Sequence, residues 1–250
     1  MIALLSPAKS FAMLETAPLI PTKPHFAAQA ARLAAAAAKL RPAKLQALMH
    51  ISPALAELNA ARYAGFAAQD ERPAIASFDG DVYRGFDAPS ADAETLAFAN
   101  DHIRILSGLY GLLRPSDAIR PYRLEMGTRW APTGEDLYDF WKARLARRLE
   151  EELAAEGSGV VLNLASKEYW TALGPKLRRG VRVVTVDFRD ATATGLRFNT
   201  FAAKKARGAM ARFMCERRAT SPEELTGFDH AGYAFDAGGS DAATLRFVRA

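Results

Sequence analysis

The run Val160-Val161-Leu162-Asn163-Leu164 most limits how this chain can fold. It is apolar at every position but one, without the polar alternation of a half-exposed strand, so it reads as a central strand covered on both faces. Val181-Arg182-Val183-Val184-Thr185-Val186 is rich in β-branched residues and predicts a second strand. Ile2 to Leu5, stopped by Ser6-Pro7, predicts a buried first strand ending in a turn. Ala74 to Phe78 also reads as a strand, followed by a turn at Asp79-Gly80-Asp81. Leu196 to Phe201 alternates like a half-exposed strand, and Tyr233 to Phe235 with Leu245 to Val248 suits a closing hairpin.

Helical signals lie between these strands. Over 136–156, Leu137, Trp141, Leu145, Leu149 and Leu153 recur every fourth residue. Arg144, Arg147, Arg148, Glu151 and Glu152 fall mainly on the other side, which is the pattern of an amphipathic helix. The alanine-dominated stretch 26–40 predicts a helix by propensity. A second begins at Pro42, with Pro53 expected to kink or split it. Glu94 to Leu106 and Lys204 to Arg218 complete the set. Helices and strands mix along all 250 residues with no repeat or linker, which predicts a single mixed α/β domain over 1–250.

Charge narrows the function. The net charge is +5, and its distribution says more than its size. From Arg197 to Arg218 there are seven basic residues and one acid, Glu216. Lys204, Lys205, Arg207 and Arg212 surround an apolar helix face made by Ala203, Ala206, Met210, Phe213 and Met214. Unopposed cations of this kind suit phosphate, because releasing condensed counterions drives association with nucleic acid. The competing reading is a solvated helix face neutralised by acids elsewhere in the fold.

Two further segments carry similar chemistry. In Ser107-Gly108-Leu109-Tyr110-Gly111, a predicted helix runs into close glycines followed by Arg114. A helix-hairpin-helix turn offers backbone N–H groups to a phosphate in this way, although two residues rather than one separate the glycines. The plainer reading is a capped helix end. Arg120 to Gly127 sets Arg123 beside Tyr122, which suits a phosphate and a base, or a structural pair of Arg123 with Glu125.

A different constellation lies at predicted strand ends. Lys9 follows the first strand, and Asn163, Ser166 and Glu168 end or follow a later one. If those strands are parallel neighbours, the four residues line one polar pocket, and a Ser–Lys pair can act as nucleophile and base. That is the enzymatic alternative: chemistry on a nucleotide, nucleobase or damaged DNA. A protein-partner role is a third and weaker reading.

Asn59, Arg62 and Tyr63 follow the second helix. His25, His50, His102 and His230 are scattered, and Cys215 stands alone, so no metal site and no cofactor are expected. A lone cysteine excludes an intrachain disulfide and suits a reducing compartment. With no signal segment or membrane span apparent, a cytoplasmic location is expected.

Read in order, these segments resemble the YaaA family of peroxide-stress proteins. The likeness rests on Leu5 to Lys9, Leu58 to Arg62, Gly80 to Tyr83, Leu106 to Pro115, Pro121 to Gly127, Asn163 to Ser166, Ala203 to Gly208 and Leu225 to Phe228. Ser10 stands where the family usually has threonine, which keeps the hydroxyl. The resemblance implies an unusual mixed α/β fold with a basic cleft and a helix-hairpin-helix-like element. It also implies binding to double-stranded or structured DNA, and a part in limiting iron-dependent damage by hydrogen peroxide. It carries the hairpin role to Ser107–Arg114 and the cleft charge to Lys9, Arg62, Arg114, Arg123, Lys204, Lys205 and Arg207. Without a metal-ligand cluster, the chain is not expected to scavenge iron or destroy peroxide by itself.

Overall fold

The strand centred on Val161 and Leu162 lies in the middle of the molecule. In the computed structural model, residues 1–12, 14–16, 18–173 and 177–250 are described. In chain order the elements are β1 (Ile2–Leu5), β2 (Ser10–Phe11), α1 (Ala27–Ala37), α2 (Pro42–Met49), α3 (Pro53–Ala64), β3 (Arg72–Pro73), α4 (Ala74–Ser77), β4 (Phe78–Asp79) and α5 (Asp81–Phe86). There follow α6 (Ala93–His102), β5 (Ile103–Ser107), β6 (Gly111–Leu113), β7 (Ala118–Ile119), α7 (Leu137–Glu156), β8 (Val160–Asn163) and α8 (Lys167–Thr171). The chain continues through β9 (Arg182–Thr192), β10 (Gly195–Arg197), α9 (Thr200–Arg217), β11 (Tyr233–Phe235) and β12 (Thr244–Arg249).

The described residues form an eight-stranded sheet in the order β11-β12-β9-β8-β1-β5-β6, with β10 paired to β9. The pairs β12/β9, β9/β8, β8/β1 and β1/β5 are parallel. The outer pairs β11/β12 and β5/β6 are antiparallel, as is β10/β9. The expected mixed α/β fold and the closing hairpin are therefore present. β1 is wholly buried, and its neighbours β5 and β8 are buried except at Val160. One apolar core runs from Met1 to Phe247.

Local rules explain most boundaries. Pro53 does split the second helix: α2 ends at a left-handed His50, and α3 restarts with Ser52 as its N-cap, accepting from Leu55 N at 3.3 Å. Asp136 caps α7 by accepting from Asp139 N, and Gly157 closes it at φ 92°. The apolar stripe of α7 is buried as the periodicity predicts, but Glu152 is buried with it.

Three segments differ from the sequence reading. The half-exposed strand expected over 196–201 ends at Arg197, and Thr200 and Phe201 open α9 because the Asn199 side chain caps the helix there. The helix expected over 94–106 stops at His102, and Ile103–Ser107 is a strand. Ile103 and Ile105 pair with Ala3 and Leu5 in the sheet, and that pairing overrides helical continuation. The glycines that follow form a β-hairpin, with Ser107 opposite Gly111, and not a helix-hairpin-helix turn. Ala74–Ser77 is a single helical turn leading into a short strand, because the N–H groups of Ala74 and Ile75 donate to Asp117 O and Pro115 O.

Candidate functional site

Ligands of parallel α/β sheets gather beyond the carboxyl ends of the strands. Here β1 and β8 are parallel neighbours whose ends are stitched together. Leu164 N donates to Leu4 O at 3.1 Å, and Ser166 N donates to Ser6 Oγ at 2.8 Å. Ser166 Oγ lies 3.3 Å from the same hydroxyl, and Tyr83 OH of α5 donates to Ser6 O. Asn163 is buried; its Oδ1 accepts from Ala165 N and its Nδ2 donates to Thr185 Oγ1. Asn163 and Ser166 therefore fix the loop that ends β8.

Lys9 turns elsewhere. Its Nζ lies 3.3 Å from Glu125 Oε1, which also takes Arg123 Nη2 at 2.9 Å and Arg123 Nε at 3.0 Å. No Lys9–Ser166 hydrogen bond forms among the described residues, so the Ser–Lys pair is not assembled. Lys9 and Glu168 do share a cavity of about 570 Å³ with Arg123, Glu125 and Arg129. Glu168 Oε1 accepts from Gly127 N at 2.9 Å. Glu125 Oε2 is buried there without a hydrogen-bond partner.

The end of α2 and His50 line this cavity, and α3 is tied to the segment beneath it. Asn59, Arg62 and Tyr63 fall on one side by their i, i+3, i+4 spacing. Tyr63 is buried, and its hydroxyl donates to Arg123 O at 2.6 Å, tying α3 to the 120–127 segment. The Arg62 guanidinium lies 5.9 Å from the Phe11 ring centroid with no carboxylate in ion-pair range among the described residues. Burial lowers its pKa from the ordinary arginine value.

The basic stripe begins past the ends of β8 and β9. β9 continues to Thr192, β10 folds back on it, and α9 starts under the Asn199 cap. Lys204 and Lys205 are exposed and, among the described residues, have no ion pair. Arg207 is half-buried, lies 6.0 Å from the Phe198 ring centroid, and has a buried Nε without a partner. Burial lowers its pKa, against the opposing pull of Asp187. Phe198 is 43% exposed and Phe201 74%, and Arg189 also approaches Phe198, at 5.6 Å. These aromatics escaped the sequence reading, although their interleaving with Arg197 and Lys204 was a usable signal.

Other expected residues have different duties. Arg212 donates to Phe86 O, Asp87 O and Ser90 O and pairs with Glu216, so it holds the turn after α5. Ser107 is fully buried; its Oγ bonds Tyr122 OH at 2.6 Å and accepts from Tyr110 N at 2.8 Å. A Cβ on Gly108 would stand 2.2 Å from Leu124 O, and Gly111, at φ 73°, abuts the Trp141 ring. The hairpin is thus packed inside the protein, and its N–H groups at 109 and 110 are already used by Ser107. Arg114 leaves β6 one step beyond the Ile105–Leu113 pair, level with Arg104, toward the amino ends of the parallel strands and away from Lys9.

Among the described residues no group of three or more histidine, cysteine, aspartate or glutamate side chains is arranged to hold a metal. No described helix is long and apolar enough to cross a membrane.

The family model for the peroxide stress protein YaaA matches residues 1–238. A UPF0246 protein of Rhizorhabdus wittichii is 56% identical over 253 residues, covering 100% of this chain and 99% of the relative. A UPF0246 protein of Ralstonia nicotianae is 48% identical over 256 residues, again covering 100% of this chain and 99% of its own length. The matched span takes in the β1 loop, the Arg123 segment and the stripe on α9, and the chain belongs to the YaaA peroxide stress protein family.

Proposed function

We propose that the protein binds DNA, double-stranded or structured and with little sequence preference, and that this binding limits iron-dependent damage under hydrogen peroxide stress. The family's tie to peroxide stress supplies the setting. The observation that carries the DNA reading is the cluster of cations without ion pairs among the described residues at the start of α9. Lys204 and Lys205 have no ion pair among the described residues, and Arg207 keeps a buried nitrogen without an acceptor. A desolvated cation is costly unless an anion meets it. Phosphate oxygens supply that anion, while Phe198 and Phe201 offer faces on which bases can stack. Under this reading Arg62, and Lys9 and Arg123, which share Glu125, add further cations to the interface.

The test is a salt titration with duplex and branched DNA, comparing the wild type with Lys204→Ala/Lys205→Ala/Arg207→Ala. Each lost phosphate contact should reduce the log–log slope by about 0.9, so a drop of roughly 2 to 3 is expected. Equal affinity and equal slope would remove the stripe from the mechanism.

A second reading has its own observation. The partnerless Glu125 Oε2 in the cavity with Lys9 and Glu168 suits a ligand bearing N–H donors, such as a nucleobase. Under that reading the protein acts on a nucleotide, nucleobase or damaged DNA. Turnover of such a substrate, abolished by Glu125→Gln and kept by the α9 triple variant, would favour it. Absence of any product across nucleobases, nucleotides and lesion-bearing duplexes would sink it.

A further inference from the structure

A second concentration of positive charge lies outside the surface just described. Arg104 on β5, Arg114 after β6 and Arg148 on α7 converge on a cavity of about 160 Å³, with Lys23 also in its wall. The carboxylates there are already engaged. Glu152 is 8% exposed and is shared between Arg104 Nε and Arg148 Nη2. Asp117 accepts from Thr22 Oγ1 at 2.7 Å and from Arg114 N at 2.8 Å.

The cations keep donors to spare. Arg104 is 4% exposed and uses Nε on Glu152 and Nη1 on two backbone carbonyls. Arg148 Nε is buried with no partner. Arg114 and Lys23 have no ion pair among the described residues, although both are present in the wall. His25 lies in the same wall, and its pKa is lowered first by burial and then by Arg148, against the opposing pull of Glu152, Glu151 and Asp117. Four cations thus face two committed carboxylates in the wall, Glu152 and Asp117, with Glu151 pairing Arg148 at 3.7 Å from outside it, around a space smaller than the roughly 300–1,000 Å³ of a typical organic-ligand site.

We propose that this cavity binds a tetrahedral oxyanion of the phosphate class, held by Arg104, Arg114 and Arg148 with Lys23 assisting. Guanidinium groups meet such oxyanions with charge-assisted, often bidentate hydrogen bonds. The anion would satisfy Nε of Arg148, which the protein alone leaves open. It would also join β5, β6 and α7 through one ligand. The site is independent of the DNA stripe on α9, and each can fail without the other.

The experiment is titration of the whole protein with inorganic phosphate at constant ionic strength, balanced with chloride, read by calorimetry and by ³¹P line broadening. Saturable binding is expected for the wild type and for Lys204→Ala/Lys205→Ala. Arg114→Gln should weaken it about tenfold or more, the loss of one charged hydrogen bond. Lys23→Gln, at an exposed position, gives a second variant that does not threaten folding and should weaken it in the same direction. A competition arm uses unphosphorylated single-stranded DNA, which has backbone but no terminal phosphates. Displacement of inorganic phosphate assigns the oxyanion to a DNA backbone, and no displacement assigns it to a free phosphate. Absence of saturable binding above the chloride baseline, or unchanged binding in both variants, overturns the proposal.

Discussion

A Cβ placed on Gly208 would stand 1.7 Å from the carbonyl oxygen of Val82, so α9 and α5 meet backbone to backbone. The crossing is reinforced one turn away, where a Cβ on Gly85 would stand 2.0 Å from Lys205 O. Both neighbours are main-chain atoms and have nowhere to go. Gly208→Ala should therefore force the helices apart and cost about 3 kcal/mol of stability by overpacking. Urea denaturation checks this, with a lowered midpoint and an unchanged m-value expected. The terminal glycine of the Lys204 to Gly208 motif thus sets how the stripe is mounted, without touching a ligand.

That crossing also shows where sequence reasoning stops. The central strands and α7 were legible because their patterns are local: unbroken apolar runs in β1 and β8, a four-residue repeat in α7. Helix α5 is six residues long and has no periodicity to read; it depends on packing against Gly208. The switch from helix to strand at Ile103 has no breaker residue, and it is decided by pairing with Ala3, a hundred positions away. The charge of the site was legible as a composition bias. Its distribution was not, since Arg212 and Arg207 look alike in sequence, yet one is saturated by carbonyls and the other retains a bare nitrogen. Glu152, placed on the solvent side by the helical pattern, is buried because Arg104 waits for it across the sheet edge.

Arg212 should behave as a structural residue. Its guanidinium closes three carbonyls at the end of α5 as well as pairing with Glu216. Arg212→Ala is expected to cost about 2 kcal/mol, the scale of hydrogen bonds to a charged group. The salt slope of DNA binding should stay at the wild-type value. A slope reduced by about 0.9 with stability intact would instead put Arg212 on a phosphate.

Cys215 should not serve as a peroxide sensor. It is the sole cysteine, is 1% exposed on α9, and burial pushes its thiol well above the ordinary range. Peroxide and alkylating agents attack the thiolate, which this environment suppresses. Intact-mass measurement after treatment with hydrogen peroxide or iodoacetamide should show no cysteine adduct on the native protein. Full alkylation should appear once the chain is unfolded in denaturant. Rapid sulfenic acid formation in the native state would reverse this view of how the family member meets peroxide.

Asp190 should give the stripe a dependence on acid. Although burial opposes it, hydrogen bonds from Arg249, Tyr233 and Asn199 hold its carboxyl below the usual aspartate value. Asn199 is also the N-cap of α9, so the carboxylate anchors the start of the helix that carries Lys204 and Lys205. A folded-state pKa below the unfolded one means that the contribution is fully present above about pH 4 and is lost as pH falls through the folded value. Asp190→Asn should therefore lower the urea midpoint at pH 7. The gap between variant and wild type should narrow as pH falls below about 4, the ordinary aspartate value, toward the lower folded-state value. A gap that stays constant from pH 7 to pH 3 would mean that packing of the side chain, and not its charge, secures the cap of α9.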